Sequence, residues 1–285
     1  MKKMILLSLL LFVGDTLFSQ EYSGFQIYTA KGRKTTVKKM IQVTDHADFV
    51  FFGEYHNDPI AHWLELEVLK SKNKSGEQLM LSFEMFEQDQ QKLLNDFLSD
   101  NIDEKTFEDS CRLWPNYDTD YKPLILFAKE NKLEVIAANL PRRYASLLYK
   151  RGRSALDSLS EEEKSWMSPL DFVVDTTLSQ YAEINAMAAH MGTGNLLEAQ
   201  AIKDATMAHF IAENRQKNEA VIQYNGAYHT DFYQGIIWYL EKELGELNKV
   251  TISTVSQSDI GKLEDEHKGR ADFIICVDED MTKTH

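Results

Sequence analysis

The chain has 285 residues, 45 of them acidic and 31 basic, for a formal charge of −14. A surface that acidic repels phosphate backbones, so nucleic acid is excluded as a natural partner, while a cationic ligand or plain solubility is favoured. Cys111 and Cys276 are the only cysteines, too few to form a disulfide framework, and whether they pair stays open.

The first residues, MKKMILLSLLLFVGDTLFSQ, place two lysines before the apolar run Met4 to Val13 and a small residue at Ser19. That order of charged, hydrophobic and cleavage regions reads as a secretory signal over 1–19, cut after Ser19. The run is too short to span a bilayer as a mature helix, so no stable membrane insertion is expected. Export to the periplasm, or secretion, follows. No cysteine follows the run, which argues against a lipoprotein.

Further along, short apolar or β-branched runs recur at Phe49 to Phe52, Leu79 to Phe83, Leu133 to Ala138, Ala220 to Tyr224, Val250 to Val255 and Asp272 to Val277. Continuous rather than alternating apolarity marks strands covered on both faces. Helical patterns lie between them, at Ile60 to Leu69, Leu93 to Leu98 and Leu124 to Ala128. Strand and helix in alternation imply right-handed crossovers and an α/β fold with a mostly parallel β-sheet flanked by helices. From 142 to 215 no strand is evident. Helical stretches there run over Arg142 to Arg151, Ser160 to Met167, Leu178 to Met191 and Asn195 to Asn214. Ser160 and Glu163 form a capping-box pattern, and Gly192 and Gly194 mark a turn. The expected organisation is a core of 20–141 and 216–285 with a small inserted all-helical lobe of 142–215.

The residues after successive strands are the informative ones. Gly53, Glu54, Tyr55 and His56 follow the first; Glu84 follows the second; Asn139, then Pro141, Arg142 and Arg143, follow the third; Asn225, Gly226 and His229 follow the fourth. In an open parallel sheet the carboxyl ends of the strands share one rim, where ligand sites form. Each residue has a plain structural use: Glu84 as a carboxylate at a helix N-terminus, Asn139 as a cap ahead of Pro141, and Asn57 and Asp58 as the cap before Pro59. His62 reads mostly as part of the helix that follows. Together, Glu54, His56, Glu84 and His229 suit two kinds of chemistry. They could ligate a divalent metal ion that activates water, or one histidine could act as a metal-free general base oriented by a glutamate, with Asn139 nearby. Arg142 and Arg143 could receive an anion. No Gly-x-Ser-x-Gly elbow is present, which argues against a serine nucleophile.

The segments GEYHNDPIAHWLELEVL, LSFEMFEQDQQKLLNDFL, LWPNYDTDYKPLILFAKENKLEVIAANLPRRY, EAQAIKDATMAHFIAE and IQYNGAYHTDFYQGI, in this order, resemble the ChaN family of haem-binding, iron-regulated proteins. Its superfamily also holds the Tiki metalloproteases and the erythromycin esterases, whose Glu-x-His segment is catalytic. The resemblance implies an exported haem-binding protein serving haem or iron uptake, homodimeric when loaded and in contact with an outer-membrane uptake system. It also implies that haem stacks as a pair between subunits with a tyrosine on the iron. Glu54, His56, Glu84, Asn139 and His229 occupy the family's strand-end positions. For the ligating tyrosine, Tyr117, Tyr121, Tyr144 and Tyr228 are candidates, with Tyr121 preferred and Arg142 as an anion partner. The superfamily implies the alternative of a metal-dependent hydrolase, an esterase or peptidase. The segment NGAYH departs from the tighter glycine-rich turn expected there, which leaves the aim of His229 open.

Overall fold

A computed structural model describes residues 23–285, apart from 193 and 218; the expected signal over 1–19 lies outside the described residues. The chain opens with strands β1 (Phe25–Thr29) and β2 (Lys34–Thr35) and helix α1 (Val37–Thr44), then β3 (Phe49–Glu54), α2 (Pro59–Lys74) and β4 (Leu79–Glu87). Helices α3 (Gln91–Leu98), α4 (Glu104–Ser110) and α5 (Lys122–Asn131) precede β5 (Glu134–Asn139). The lobe helices are α6 (Arg142–Arg151), α7 (Glu161–Lys164), α8 (Ser179–Met191) and α9 (Leu196–Asn214). The chain returns through β6 (Ala220–Gly226), α10 (Ile236–Leu244), β7 (Lys249–Gln257) and β8 (Phe273–Asp278).

The strands form one sheet in the order β2-β1-β8-β7-β3-β6-β4-β5. All pairings from β8 to β5 are parallel, and β1 and β2 add antiparallel at the edge. The expected α/β class with a mostly parallel sheet is therefore observed. Each of the apolar runs became a strand. The edge strands β1 and β2 were not anticipated, because a short half-covered strand lacks the continuous apolarity of a buried one.

Period-two alternation assigns the faces. Val50 and Phe52 of β3, Leu79, Leu81 and Phe83 of β4, and Ile222 and Tyr224 of β6 pack with α1 to α5. Phe49, Phe51, Met80 and Val221 point the other way, against Met207, Phe210 and Ile211 of α9 and Ile236, Ile237 and Leu240 of α10. By the same parity Glu54 leans toward α2 and α5, and Glu84 toward α9. The lobe has its own apolar cluster, including Leu140, Tyr144, Leu148, Tyr181 and Ile202. Helix α9 serves both clusters, so the lobe is welded to the sheet by a helix that continues into the layer covering it.

Local signals mostly hold. Asp58 caps α2, accepting from the backbone of Ile60 and Ala61 at 3.0 Å each. The Ser160–Glu163 capping box is formed, yet α7 is a single turn, shorter than expected, because the chain turns out of the helix at Ser165. Gly192, where a turn was expected, ends α8 in the left-handed conformation. Asn139 does not cap a helix. It ends β5 and donates its amide to the Glu84 carbonyl at 2.9 Å, tying the rims of β4 and β5 together. Cys111 and Cys276 are buried free thiols.

At Gly53 a Cβ would stand 2.8 Å from the Cα of Ala227, backbone that cannot swing aside. Gly53→Ala therefore separates β3 from the turn after β6, and we expect a loss of about 1–3 kcal/mol in urea unfolding followed by circular dichroism. Wild-type stability for this variant would contradict the close approach.

Candidate functional site

The ends of β3, β6, β4 and β5 are neighbours in the sheet, with Glu54 in register with Gly226. The register of β4 against β5 shifts between Phe83 and Glu87, and β4 last pairs with β6 at Phe83, so Glu84 lies within β4 just past that pairing. The four strand ends deliver Glu54, Gly226, Glu84 and Asn139 to one rim, and the residues just beyond β3 and β6 add His56 and His229.

Glu54 is buried, and its Oε1 lies 2.6 Å from His56 Nδ1 and accepts the Tyr121 hydroxyl at 2.6 Å. Burial opposes its ionisation, but hydrogen bonds from His56 and His62 outweigh that and hold the carboxyl far below its ordinary range. The His56 side chain is 36% exposed and stands edge-on to Trp114 at 4.7 Å between ring centroids. Burial lowers its pKa, but the hydrogen bond to Glu54 and the charge of Glu84 prevail and raise it. Gly226 leaves the space His56 occupies, since a Cβ there would lie 2.7 Å from His56 Nε2 and 3.6 Å from Glu84 Oε2.

Glu84 accepts the Gly226 amide at 2.7 Å through Oε2 and meets His229 Nε2 at 3.1 Å through Oε1. The other ring nitrogen of His229 pairs closely with Asp204 of α9, whose second oxygen accepts the Tyr181 hydroxyl at 2.6 Å. Gln200, one turn earlier, approaches the same ring at 3.0 Å. His229 is thus pinned between carboxylates from the sheet and from the lobe. Burial works against both charges, yet mutual attraction takes Glu84 down to about 2 and His229 up to about 10.

These groups face two depressions. A cleft of about 600 Å³ is lined by Glu54, Tyr55, His56, Gln200, Tyr228 and His229. A groove of about 570 Å³ is lined by Glu84, Arg112, Trp114, Asn139, Arg142 and Lys203. Arg142 and Lys203 also border a shallow hollow of about 280 Å³ beside Tyr149.

Glu54, His56, Glu84 and His229 accordingly share one neighbourhood. They do so as two hydrogen-bonded pairs rather than one tight shell; among the described residues they are not a set with every ligand atom within 4.8 Å of the others. Tyr121 is 0% exposed with its hydroxyl given to Glu54, so its ring buttresses the carboxylate and leaves no open side for an iron. Tyr117 and Tyr144 are also buried. Arg142 sits where an anion could reach it. His62, read as helix interior, lies in α2 but meets Glu54 Oε2 at 3.2 Å. Sequence reasoning missed Asp204, Gln200, Glu65 and Asp120. A signal existed for two of them. Asp204 falls among the buried Ala201, Ile202, Ala205 and Ala208, and Glu65 shares its face with Ala61, Val68 and Leu69.

The Glu84–His229 pair carries a pH signature. The low Glu84 pKa contributes stability present above its ordinary 4.5 and lost as pH falls toward 2. The high His229 pKa contributes stability present below its ordinary 6.5 and lost as pH rises toward 10. The gap in melting temperature between wild type and Glu84→Gln is expected to be widest between pH 4.5 and 6.5 and to shrink on both sides. A gap that stays constant with pH would show the pair to be uncoupled.

Among curated proteins none matches the chain. ChaN of Campylobacter jejuni, whose solved structure is described as showing cofacial heme binding, is similar with a TM-score of 0.65 at 17% identity, over 88% of this chain and 96% of that one. A Bacillus cereus protein of known structure gives a TM-score of 0.51 at 11% identity, over 88% and 93%. The erythromycin esterase EreC, in its open conformation, gives 0.47 at 9%, over 88% and 97%. The first two show a shared fold and, at identities this low, leave residue roles unassigned. The sequence profile of the family described as "Haem-binding uptake, Tiki superfamily, ChaN" matches residues 40–240, which is more than half of the chain, and the protein therefore belongs to that family.

Proposed function

We propose that this protein is an exported haem-binding protein of haem or iron uptake, and that it holds haem in the groove running from Trp114 past Arg142 and Lys203 to Tyr149. The observation that carries this reading is the family match, joined to a groove whose chemistry suits the ligand. Haem is a flat apolar ring with two carboxylates. The groove offers Trp114 and Leu113 for the ring and Arg142 and Lys203 for the acids, while Arg112 is held by Glu87 and Asp89. Tyr149, partly buried in the hollow that shares Arg142 and Lys203 with the groove, is the phenol we assign to ferric iron. Export rests on the pattern of residues 1–19, and dimerisation on loading and contact with an outer-membrane uptake system on family likeness. Among the described residues no helix is long and apolar enough to cross a membrane.

Titration of the mature protein with haemin is expected to give a saturable Soret shift. Tyr149→Phe should change the band position, and Arg142→Ala should weaken binding about 10-fold, equal to one charge-assisted hydrogen bond. Non-saturating absorbance in wild type would remove the haem reading; unaltered spectra in Tyr149→Phe would move the ligand elsewhere. Sedimentation with and without haemin tests the dimer.

A second reading is favoured by one observation: a half-exposed His56 oriented by a buried carboxylate and facing Glu84 is the arrangement of a general base. We propose hydrolysis of an ester or peptide as the reaction class, with or without a metal on Glu54, His56, Glu84 and His229. The rate should climb with pH, because the raised His56 pKa keeps the imidazole protonated at lower pH and a base must be neutral. His56→Ala should cost about 100-fold or more. An activity that survives in His56→Ala would end this reading.

A further inference from the structure

Beneath the rim lies a second cluster, which shares Glu54 with the rim and adds His62, Glu65 and Asp120, residues that neither reading uses. His62 Nδ1 stands 3.2 Å from Glu54 Oε2 and 3.1 Å from Glu65 Oε2. Its Nε2 stands 3.2 Å from Asp120 Oδ2 and 3.2 Å from the His56 carbonyl. Glu54, His62, Glu65 and Asp120 are all buried.

Charge does not balance there. Among the described residues the ion pairs of Glu54, Glu65 and Asp120 are with His56 and His62, so at most two imidazolium groups face three carboxylates in a dry interior. Hydrogen bonding does not close either, because Glu65 Oε1 is buried without a partner and Glu54 Oε2 has only its contact with His62. One more positive charge is required, supplied either by an extra proton or by a metal ion.

Geometry favours the metal. The ligand atoms of Glu54, His62 and Glu65 lie within 4.8 Å of one another. Edges of 3.1 and 3.2 Å fall within the spacing of about 3.0–3.4 Å that bonds of about 2.1 Å give at octahedral to tetrahedral angles. On the far side of the ring, Asp120 and a main-chain carbonyl accept from Nε2. That keeps a proton on Nε2 and makes Nδ1 the nitrogen that would face an ion, the support that metal-bound histidines have. Asp120 is itself held by Asn116 at 2.6 Å and Thr284 at 2.7 Å.

We propose that Glu54, His62 and Glu65 form an internal site for a divalent transition-metal ion, zinc or manganese, beneath the rim and joined to it through Glu54. Glu54 would then bridge the two levels, with Oε2 on the ion and Oε1 on His56 and Tyr121. The proposal goes beyond the haem reading and does not depend on it.

The test is metal analysis of the mature protein purified without chelator, followed by stripping and melting with added Zn²⁺ or Mn²⁺. We expect one ion per chain and a melting temperature that rises on reloading. Glu65→Gln is isosteric with a protonated Glu65, so it folds even if a proton fills the site, and it should lose the ion. Asp120→Asn, which disturbs only the support of His62, should weaken metal affinity about 10–100-fold. Glu84→Gln should keep the ion. Absence of metal and of any thermal response in wild type overturns the proposal in favour of a shared proton. Retention in Glu65→Gln, or loss in Glu84→Gln, overturns it by placing the ion at the rim. Haemin titration of the same samples keeps the outcome apart from that of the haem reading.

Discussion

A buried, ionised carboxylate at the end of a central strand is the constraint around which this protein is organised. Glu54 closes β3, which has neighbours on both sides and helices on both faces, so water is not available to solvate its charge. Its stabilisation has to come from side chains brought in by other elements. His56 comes from the loop after β3, His62 from the first turns of α2, and Tyr121 from the single wide turn Tyr117–Tyr121 ahead of α5. Wide turns of this kind are frequent at functional sites. Here it brings Asp120 and Tyr121 to the same carboxylate cluster.

The lobe is bound to the sheet by the same kind of interaction on the opposite face. Glu84 leans toward α9, and His229 lies between it and Asp204. An insertion that contributes a buried acid to the core cannot drift independently without leaving charges unpaired. Two glycines make the approach feasible. Gly226 leaves room for His56, and Gly235, at a positive φ of 55°, passes where a Cβ would stand 2.2 Å from the His229 carbonyl oxygen.

Charge is distributed unevenly at the site. The chain as a whole carries −14, yet Arg142 and Lys203 line one groove beside the rim, where Arg112 is paired with Glu87 and Asp89. Net charge argues about solubility and long-range steering, while recognition of an acid depends on the few cations within a Debye length of it. An acidic protein that presents Arg142 and Lys203 in one groove is therefore compatible with an anionic, largely apolar ligand.

Much of this was legible along the chain, because covered strands and amphipathic helices advertise themselves by apolar period. The run at Phe49 to Phe52, the cap at Asp58 and the helices from Arg142 to Asn214 follow from local propensity and patterning. So does the delivery of Glu54, Glu84 and Asn139 to one rim, since parallel strands align their carboxyl ends. What local sequence could not specify was partnership at long range. Glu54 and Tyr121 are 67 residues apart and His229 and Asp204 25, and no period links them. The cap expected at Asn139 became a tie between strands, and the preferred Tyr121 became a buried buttress, because packing against the sheet decided where each side chain could find a partner. The sequence by itself determined the layers, the rim and the family; only the tertiary structure decided which charges meet, because a buried charge takes whatever counter-charge the packed elements bring within reach.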